Sequence, residues 1–272
     1  MDRLRDRVIL ITGSTGIAAA AAERFVGEGA SVFVTSRTAE HARDLAEGLG
    51  AAWVQAELTE EAAVDAAVSA AVDRYGRIDG LFSVAGGSGR RFGDGPIHTL
   101  TGDAWEATAA LNLRSQILVC AAVTRRMLAQ APNDSGTRGS ILLLGSVTTS
   151  DPSPELFATH AYAAAKGALT ALMTTMAATY APQGIRVNIV APSLTRTPMA
   201  ERAATDERIL AYASRKQPLA SEMLDPDEVA KAAVYFLSDE SRAVTGQMLK
   251  VDGGWSVTSV SPEPAQGPEP AS

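Results

Sequence analysis

Seven short runs of apolar and β-branched residues, at 8–11, 31–35, 52–55, 80–84, 140–144, 186–190 and 247–251, constrain the fold of this chain more than any other feature. Most are apolar nearly throughout instead of alternating. Such a strand is buried on both faces, as in a parallel sheet covered by helices. Longer, alanine-rich stretches at 17–28, 39–49, 60–75, 103–130, 162–180 and 226–237 supply those helices. Right-handed crossovers then give one doubly wound α/β domain, a seven-stranded parallel sheet with helices on both faces.

Four stretches interrupt the rhythm. Residues 131–139 (APNDSGTRG) read as a surface turn, and 149–159 (TSDPSPELFAT) as a proline-rich loop ahead of a helix. Residues 199–224 look helical but irregular, as a lid would. Residues 261–272 (SPEPAQGPEPAS) have four prolines and no apolar anchor larger than alanine. The expected organisation is a domain over 1–258 and a flexible tail over 259–272.

Composition removes several classes of function. The 272 residues carry 24 Lys+Arg against 31 Asp+Glu, a net charge of −7, and no basic run. Duplex binding needs clustered cations to displace counterions, so no nucleic-acid partner is expected. The charged start, Met1 to Arg7, leads into only four apolar residues (8–11), too few for a signal peptide or a membrane span. The single Cys120 lies in an apolar helical pattern and reads as a buried structural thiol. His41, His98 and His160 are scattered without metal-ligand spacing, so no metal is expected. These features predict a cytoplasmic protein.

The first run is followed by Thr12-Gly13-Ser14-Thr15-Gly16-Ile17-Ala18. A strand, glycine turn and helix in series offer free backbone N–H groups and a positive helix end to a phosphate. Gly13 would allow the tight turn, Gly16 the approach of a pyrophosphate, and Ala18 close packing of helix on strand. Glycine turns after strands are common; the βαβ setting is what directs this one toward a dinucleotide. The second run ends at Ser36-Arg37, with no acidic residue to take a ribose 2′-OH. An Arg there suits a 2′-phosphate, which favours NADP(H) over NAD(H), although a solvated surface cation reads the same way.

Tyr162 and Lys166 stand at i and i+4 on one helix face. A free phenol has a pKa of about 10, and a neighbouring cation would lower it toward neutrality. Ser146 follows the 140–144 run, at the carboxyl end of a strand, where parallel sheets bind ligands. Asn112 is a polar residue in an apolar helical stretch and needs hydrogen-bonding partners.

Taken together, the glycine turn, Ala85-Gly86, Asn112, Ser146, Tyr162, Lys166, Pro192 with Thr197, and the closing Thr245-Gly246-Gln247 and Val251-Asp252-Gly253-Gly254 resemble the short-chain dehydrogenase/reductase family, in particular 3-oxoacyl-carrier-protein-reductase-like members. The resemblance covers 5–257 and implies a Rossmann-type fold. It also implies hydride transfer between NADP(H) and a small carbonyl or secondary-alcohol substrate. Tyr162 would be general acid and base, Lys166 would tune Tyr162 and hold the nicotinamide ribose, and Ser146 would bind the substrate oxygen. Asn112 would hold a water connecting Lys166 to solvent. Gly13, Ser14, Thr15, Gly16 and Ile17 would line the pyrophosphate, and Ser36, Arg37, Glu57 and Leu58 the adenosine side. Ala85, Gly86, Thr195 and Thr197, with Tyr162 and Lys166, would face the nicotinamide end. A homotetramer or dimer through the two long helices is the family's habit, with no membrane role.

The chain departs from the family's pattern at several points. The glycine turn lacks one spacer and ends in Ala18; Asn-Asn-Ala-Gly is Ser83-Val84-Ala85-Gly86; the adenine-side Asp is Glu57; Pro-Gly is Pro192-Ser193. The stretch from Ser146 to Tyr162 is a few residues longer than usual. An NAD(H) enzyme, or a non-catalytic nucleotide-sensing or scaffold protein of the same fold, are the competing readings. Arg90 and Arg91, in the glycine-rich loop 86–95, read either as a site for an acidic substrate or as solvated cations.

Overall fold

In the computed structural model, which describes residues 2–260, the seven expected strands are all present and all parallel. They are β1 (Val8–Thr12), β2 (Ser31–Ser36), β3 (Ala52–Gln55), β4 (Gly80–Ser83), β5 (Gly139–Leu144), β6 (Ile185–Pro192) and β7 (Met248–Val251). The helices are α1 (Ile17–Gly27), α2 (Ala39–Leu49), α3 (Glu61–Tyr75), α4 (Gly102–Ala109), α5 (Ser115–Ala129), α6 (Pro154–Phe157), α7 (His160–Tyr180), α8 (Glu201–Ala204), α9 (Glu207–Lys216) and α10 (Pro226–Leu237). Strand order is β3-β2-β1-β4-β5-β6-β7. The winding therefore reverses between β1 and β4, and a crevice opens beyond their carboxyl ends. The expected tail lies outside the described residues, apart from its first two positions.

Alternating side chains of each strand feed two separate cores. Leu10, Phe33, Leu81, Ile141, Leu143 and Ile189 point to one face, packed with residues of α3, α5 and α7. Their neighbours Ile9, Ile11, Val32, Val34, Phe82, Leu142 and Val190 point to the other, under α1, α2 and α10. All five residues of β1 and all eight of β6 are buried. Cys120 lies in the first core, where burial pushes its thiol up to about 12.

Two helical expectations are modified. The single helix expected over 103–130 is broken by a π-helical turn at Ala110–Arg114 that carries Asn112; such turns concentrate where a side chain must be re-aimed. Gly102–Ala129 is long and apolar enough to cross a membrane by length and composition alone. Here it lies on the sheet, with Val119, Val123 and Met127 buried in the core. The helix expected to begin at 162 begins at His160, because the Asp94 carboxylate accepts from the N–H groups of Ala161 and Tyr162, both at 2.9 Å.

The lid-like segment is α8 and α9 flanked by single 3-10 turns at Pro198–Ala200 and Pro218–Ala220. Its base is closed by a bridge between Thr195 and Leu224 and by Gln217, whose amide donates to the carbonyls of Leu194 (3.1 Å) and Glu222 (2.9 Å). The proline-rich loop contains α6 and is anchored. Asp151 pairs with Lys250 at 2.7 Å, and Ser153 bonds the Tyr212 hydroxyl at 2.8 Å. Phe157 and Tyr212 both pack on Trp255, with ring centroids 6.1 and 5.6 Å away.

Phe82 is fully buried against Phe25, with centroids 6.1 Å apart, at the centre of the second core. Phe82→Ala is expected to lower unfolding free energy by about 3–5 kcal/mol, read as a fall in the urea midpoint.

Candidate active site

The carboxyl ends of β1, β4, β5 and β6 meet at one rim of the sheet, and the sequence-selected residues gather there. After β1, Gly13 (φ 98°) and Gly16 (φ 56°) turn the chain directly into α1. A Cβ on Gly16 would come within 2.8 Å of Thr197 Cγ2, so only glycine fits this approach. A Cβ on Gly13 would lie 3.3 Å from the Ala18 methyl, so Ala18 itself fills the helix–strand contact. No side chain caps α1. The turn, although one residue short, keeps an uncapped helix start beside a side-chain-free cradle, which fits a pyrophosphate. Ser14 and Ser36 hydroxyls bond at 3.0 Å and join the turn to the end of β2, while Ile17 is buried behind it.

On the adenosine side, exposed Arg37 and half-buried Glu57 stand 4.0 Å apart. Glu57 also accepts from the backbone N–H (3.2 Å) and hydroxyl (3.0 Å) of Thr59, and Leu58 is buried. Arg37 thus has a carboxylate neighbour already.

The turn after β4 has lost the family's two amides and is held instead by Thr12. Its hydroxyl accepts from the N–H groups of Val84 and Ala85, each at 2.9 Å. Gly86 must stay glycine, since a Cβ there would sit 2.8 Å from Asn112 Oδ1. Asn112, fully buried, accepts from Gly87 N–H at 3.0 Å and donates to the carbonyls of Gly87 (2.9 Å) and Thr108 (3.0 Å). Both amide protons are committed, so this side chain braces the β4 turn.

Ser146, after β5, bonds the Thr148 hydroxyl at 2.9 Å. Tyr162 and Lys166 project from the first turns of α7, with Nζ 5.9 Å from the phenol ring centre. Lys166 is 2% exposed and donates to the Leu144 carbonyl at 2.7 Å. Burial pushes Lys166 down to about 7. Burial also pushes the Tyr162 phenol up to about 12, against a hydrogen bond with Ser146 that lowers it. The cation was expected to lower the tyrosine. In the free site desolvation outweighs it, because the ammonium lies over the ring and is itself stripped of water. The site therefore holds a protonated phenol beside a lysine that titrates near neutrality.

Thr195 bonds the Ser193 carbonyl at 3.0 Å, and Thr197 packs on Gly16. The Ser193 hydroxyl is buried and makes no hydrogen bond.

Sequence reasoning missed three residues. Gln116, one helical turn after Asn112, reaches Lys166; its i+4 spacing in an apolar stretch was the available signal. Asp94 fixes the start of α7, a contact between loops that no local pattern announces. Arg202 of α8 and Arg90 both donate to the Leu156 carbonyl at 3.2 Å. The loop bearing Arg90 is thereby tied to α6 and, through Asp94, to α7. A polar surface groove of about 530 Å³ between α1 and α10, lined by Glu23, Arg24, Asp225 and Asp227, contains none of these residues.

A phosphate-type cradle at the winding reversal, with a tyrosine, lysine and serine beyond it, defines a nucleotide-dependent oxidoreductase class. Comparison with known proteins agrees. A family model described as enoyl-(acyl carrier protein) reductase matches residues 11–256. Short-chain dehydrogenase reductase 5 of Arabidopsis thaliana is 35% identical over 260 residues, covering 94% of this chain and 96% of that protein. The A-factor type gamma-butyrolactone 1'-reductase (1S-forming) of Streptomyces virginiae is 35% identical over 269 residues, 93% of this chain and 97% of its own. The structure of 3-ketoacyl-(acyl-carrier-protein) reductase from Brucella melitensis, complexed with NADH, superposes with a TM-score of 0.83 at 27% identity, over 93% of this chain and 100% of that one. The chain belongs to the short-chain dehydrogenase/reductase family: it is an oxidoreductase with an NAD(P)-binding Rossmann fold.

The buried lysine ties stability to pH. Between about 7 and its ordinary 10.5, Lys166 is protonated in the unfolded chain but not in the folded one. Stability then rises with pH across that window, by at most about 1.4 kcal/mol per pH unit. Tyr162, raised instead, opposes this only above its ordinary 10.0. Urea unfolding at pH 7, 8 and 9 should show the rise, and Lys166→Met should flatten it.

Proposed function

We propose that this protein is an NADP(H)-dependent reductase or dehydrogenase acting on a carbonyl/secondary-alcohol pair of a small molecule. The observation that carries the reading is the placement of the Tyr162 phenol beside Ser146 and Lys166 at the rim of the sheet. A neutral phenol can deliver a proton to a carbonyl oxygen as hydride arrives at its carbon. Ser146 supplies a hydroxyl to the same oxygen and stabilises the negative charge developing there. Lys166, once its ammonium approaches the phenol oxygen, eases loss of that proton and its return in the oxidation direction.

The nicotinamide cofactor supplies or accepts the hydride; the chain binds and orients it. In this reading Gly13, Ser14, Thr15, Gly16 and Ile17 receive the pyrophosphate, and Ser36, Arg37, Glu57 and Leu58 the adenosine. Ala85, Gly86, Thr195, Thr197 and Lys166 hold the nicotinamide end. Asn112 keeps the β4 turn in place beside it. A homo-oligomer built through α4, α5 and α7 is part of the proposal, supported by the exposed apolar side chains of Trp105, Ile117 and Leu128 on that layer.

One observation favours NAD(H): Glu57 beside Arg37 partly neutralises the charge a 2′-phosphate would seek. Parallel fluorescence titrations with NADPH and NADH separate the two. Tighter NADPH binding that Arg37→Ala reduces by about tenfold supports the NADP(H) reading; an unchanged preference overturns it.

Tyr162→Phe removes the transferable proton while keeping the ring. It is expected to lower kcat by about 10²-fold or more and to leave nucleotide affinity nearly unchanged. Retained turnover in a carbonyl-reduction assay would remove Tyr162 from the role.

A further inference from the structure

Lys166 is buried, and groups around its Nζ come from several elements. β5 presents the Leu144 carbonyl at 2.7 Å, and Gly86 of the β4 turn lies beside it. The π turn and α5 present Asn112 and Gln116, and its own helix presents Tyr162. No carboxylate is among them, and burial is the one cause acting on the lysine's titration. An ammonium has three N–H donors and must find acceptors for them in so dry a place. The Asn112 Oδ1 already accepts from Gly87 N–H at 3.0 Å, and the Gln116 oxygen is the side-chain acceptor that reaches Nζ.

Gln116 is 1% exposed. With its oxygen turned to the ammonium it accepts from Nζ at 3.0 Å, while its nitrogen donates to the Ser83 carbonyl at 3.3 Å. The opposite orientation would set N–H groups against N–H groups. One amide thus spans the rim from the end of β4 to α7, crossing the place where the family's pattern has side-chain amides and this chain has Ser83 and Val84.

We propose that Gln116 is a positioning residue for Lys166, its amide bridging the Ser83 carbonyl to the ammonium and setting both where Nζ sits and how readily it keeps its proton. With Leu144 and Gln116 taking two N–H groups from behind, the third is left for the front of the site, on the Tyr162 side. A neutral acceptor supports the charge without an ion pair's full pull. A carboxylate at this position would hold the lysine permanently charged, and an apolar side chain would tip it toward the free amine. The bridge matters for catalysis only if the oxidoreductase reading of this site holds, but it exists in the free protein and can be read there.

The chain has only four lysines, Lys166, Lys216, Lys231 and Lys250. Protein labelled with 13Cε/15Nζ-lysine therefore gives a titration that can be followed residue by residue, the Lys166 signal being the one lost in Lys166→Met. Gln116→Glu is expected to raise the Lys166 midpoint by about one pH unit or more, and Gln116→Met to lower it by about half a unit. The pH profile of turnover should move in the same direction, which a role confined to packing would not produce. Both midpoints within about 0.2 of the parent would overturn the bridge. Should Gln116→Met fail to fold, an unmoved midpoint in Gln116→Glu is sufficient to overturn it. Since the titration needs neither nucleotide nor substrate, the two ideas fail separately. Shifted midpoints in a protein that shows no carbonyl or alcohol turnover keep the bridge and retire the proposed function of this site. Normal turnover with unmoved midpoints does the reverse.

Discussion

A sheet buried on both faces leaves polar chemistry only one place to go. Every interior strand of this protein sends alternate side chains into two dry cores, and neither face can accept a charge or an unpaired hydroxyl without a large desolvation cost. At the strand ends that restriction lifts, because backbone carbonyls and N–H groups of the last residues have no ladder partner. Thr12, Leu144 and Ser83 show how this is used: a hydroxyl holding the next turn, a carbonyl receiving a lysine, and a carbonyl receiving an amide. The reversal of winding between β1 and β4 keeps the crevice there open, since connections leave it in opposite directions.

The price of putting Lys166 in that position is that its charge is poorly solvated, and the same dryness raises the Tyr162 phenol. The two effects are complementary for acid catalysis. The phenol keeps the proton to be delivered, while the lysine beside it takes up or gives up its own near neutrality. The surrounding brace is therefore as important as the reactive groups. Asn112 secures the turn carrying Gly86, Asp94 secures the start of α7, and Gln116 connects the two sides through Lys166.

Loops that read as independent insertions are parts of one assembly. The proline-rich loop, the lid and the closing segment share the aromatic cluster of Phe157, Tyr212 and Trp255. Arg90 and Arg202 add a link at the Leu156 carbonyl, at a like-charge cost visible in the lowered pKa of Arg90, where burial and Arg202 act together. The extra length between Ser146 and Tyr162 is thus absorbed by α6 and by contacts to Lys250 and Trp255.

What the sequence determined alone was the set of features that depend on local periodicity and chain order. All seven strands, their parallel sense, the glycine turn and the Tyr162–Lys166 face follow from residue type and spacing, because burial pattern and helical geometry act over a few residues. The π turn at Asn112, the early start of α7, the commitment of Asn112 to Gly87, and the reach of Gln116 to Lys166 were decided by tertiary structure. Each rests on a hydrogen bond between segments far apart in the chain, such as Asp94 to Tyr162 across 68 positions. The proton affinities of Tyr162 and Lys166 belong to the same group. They depend on how much water the folded rim excludes, and that quantity does not exist until the cores have closed.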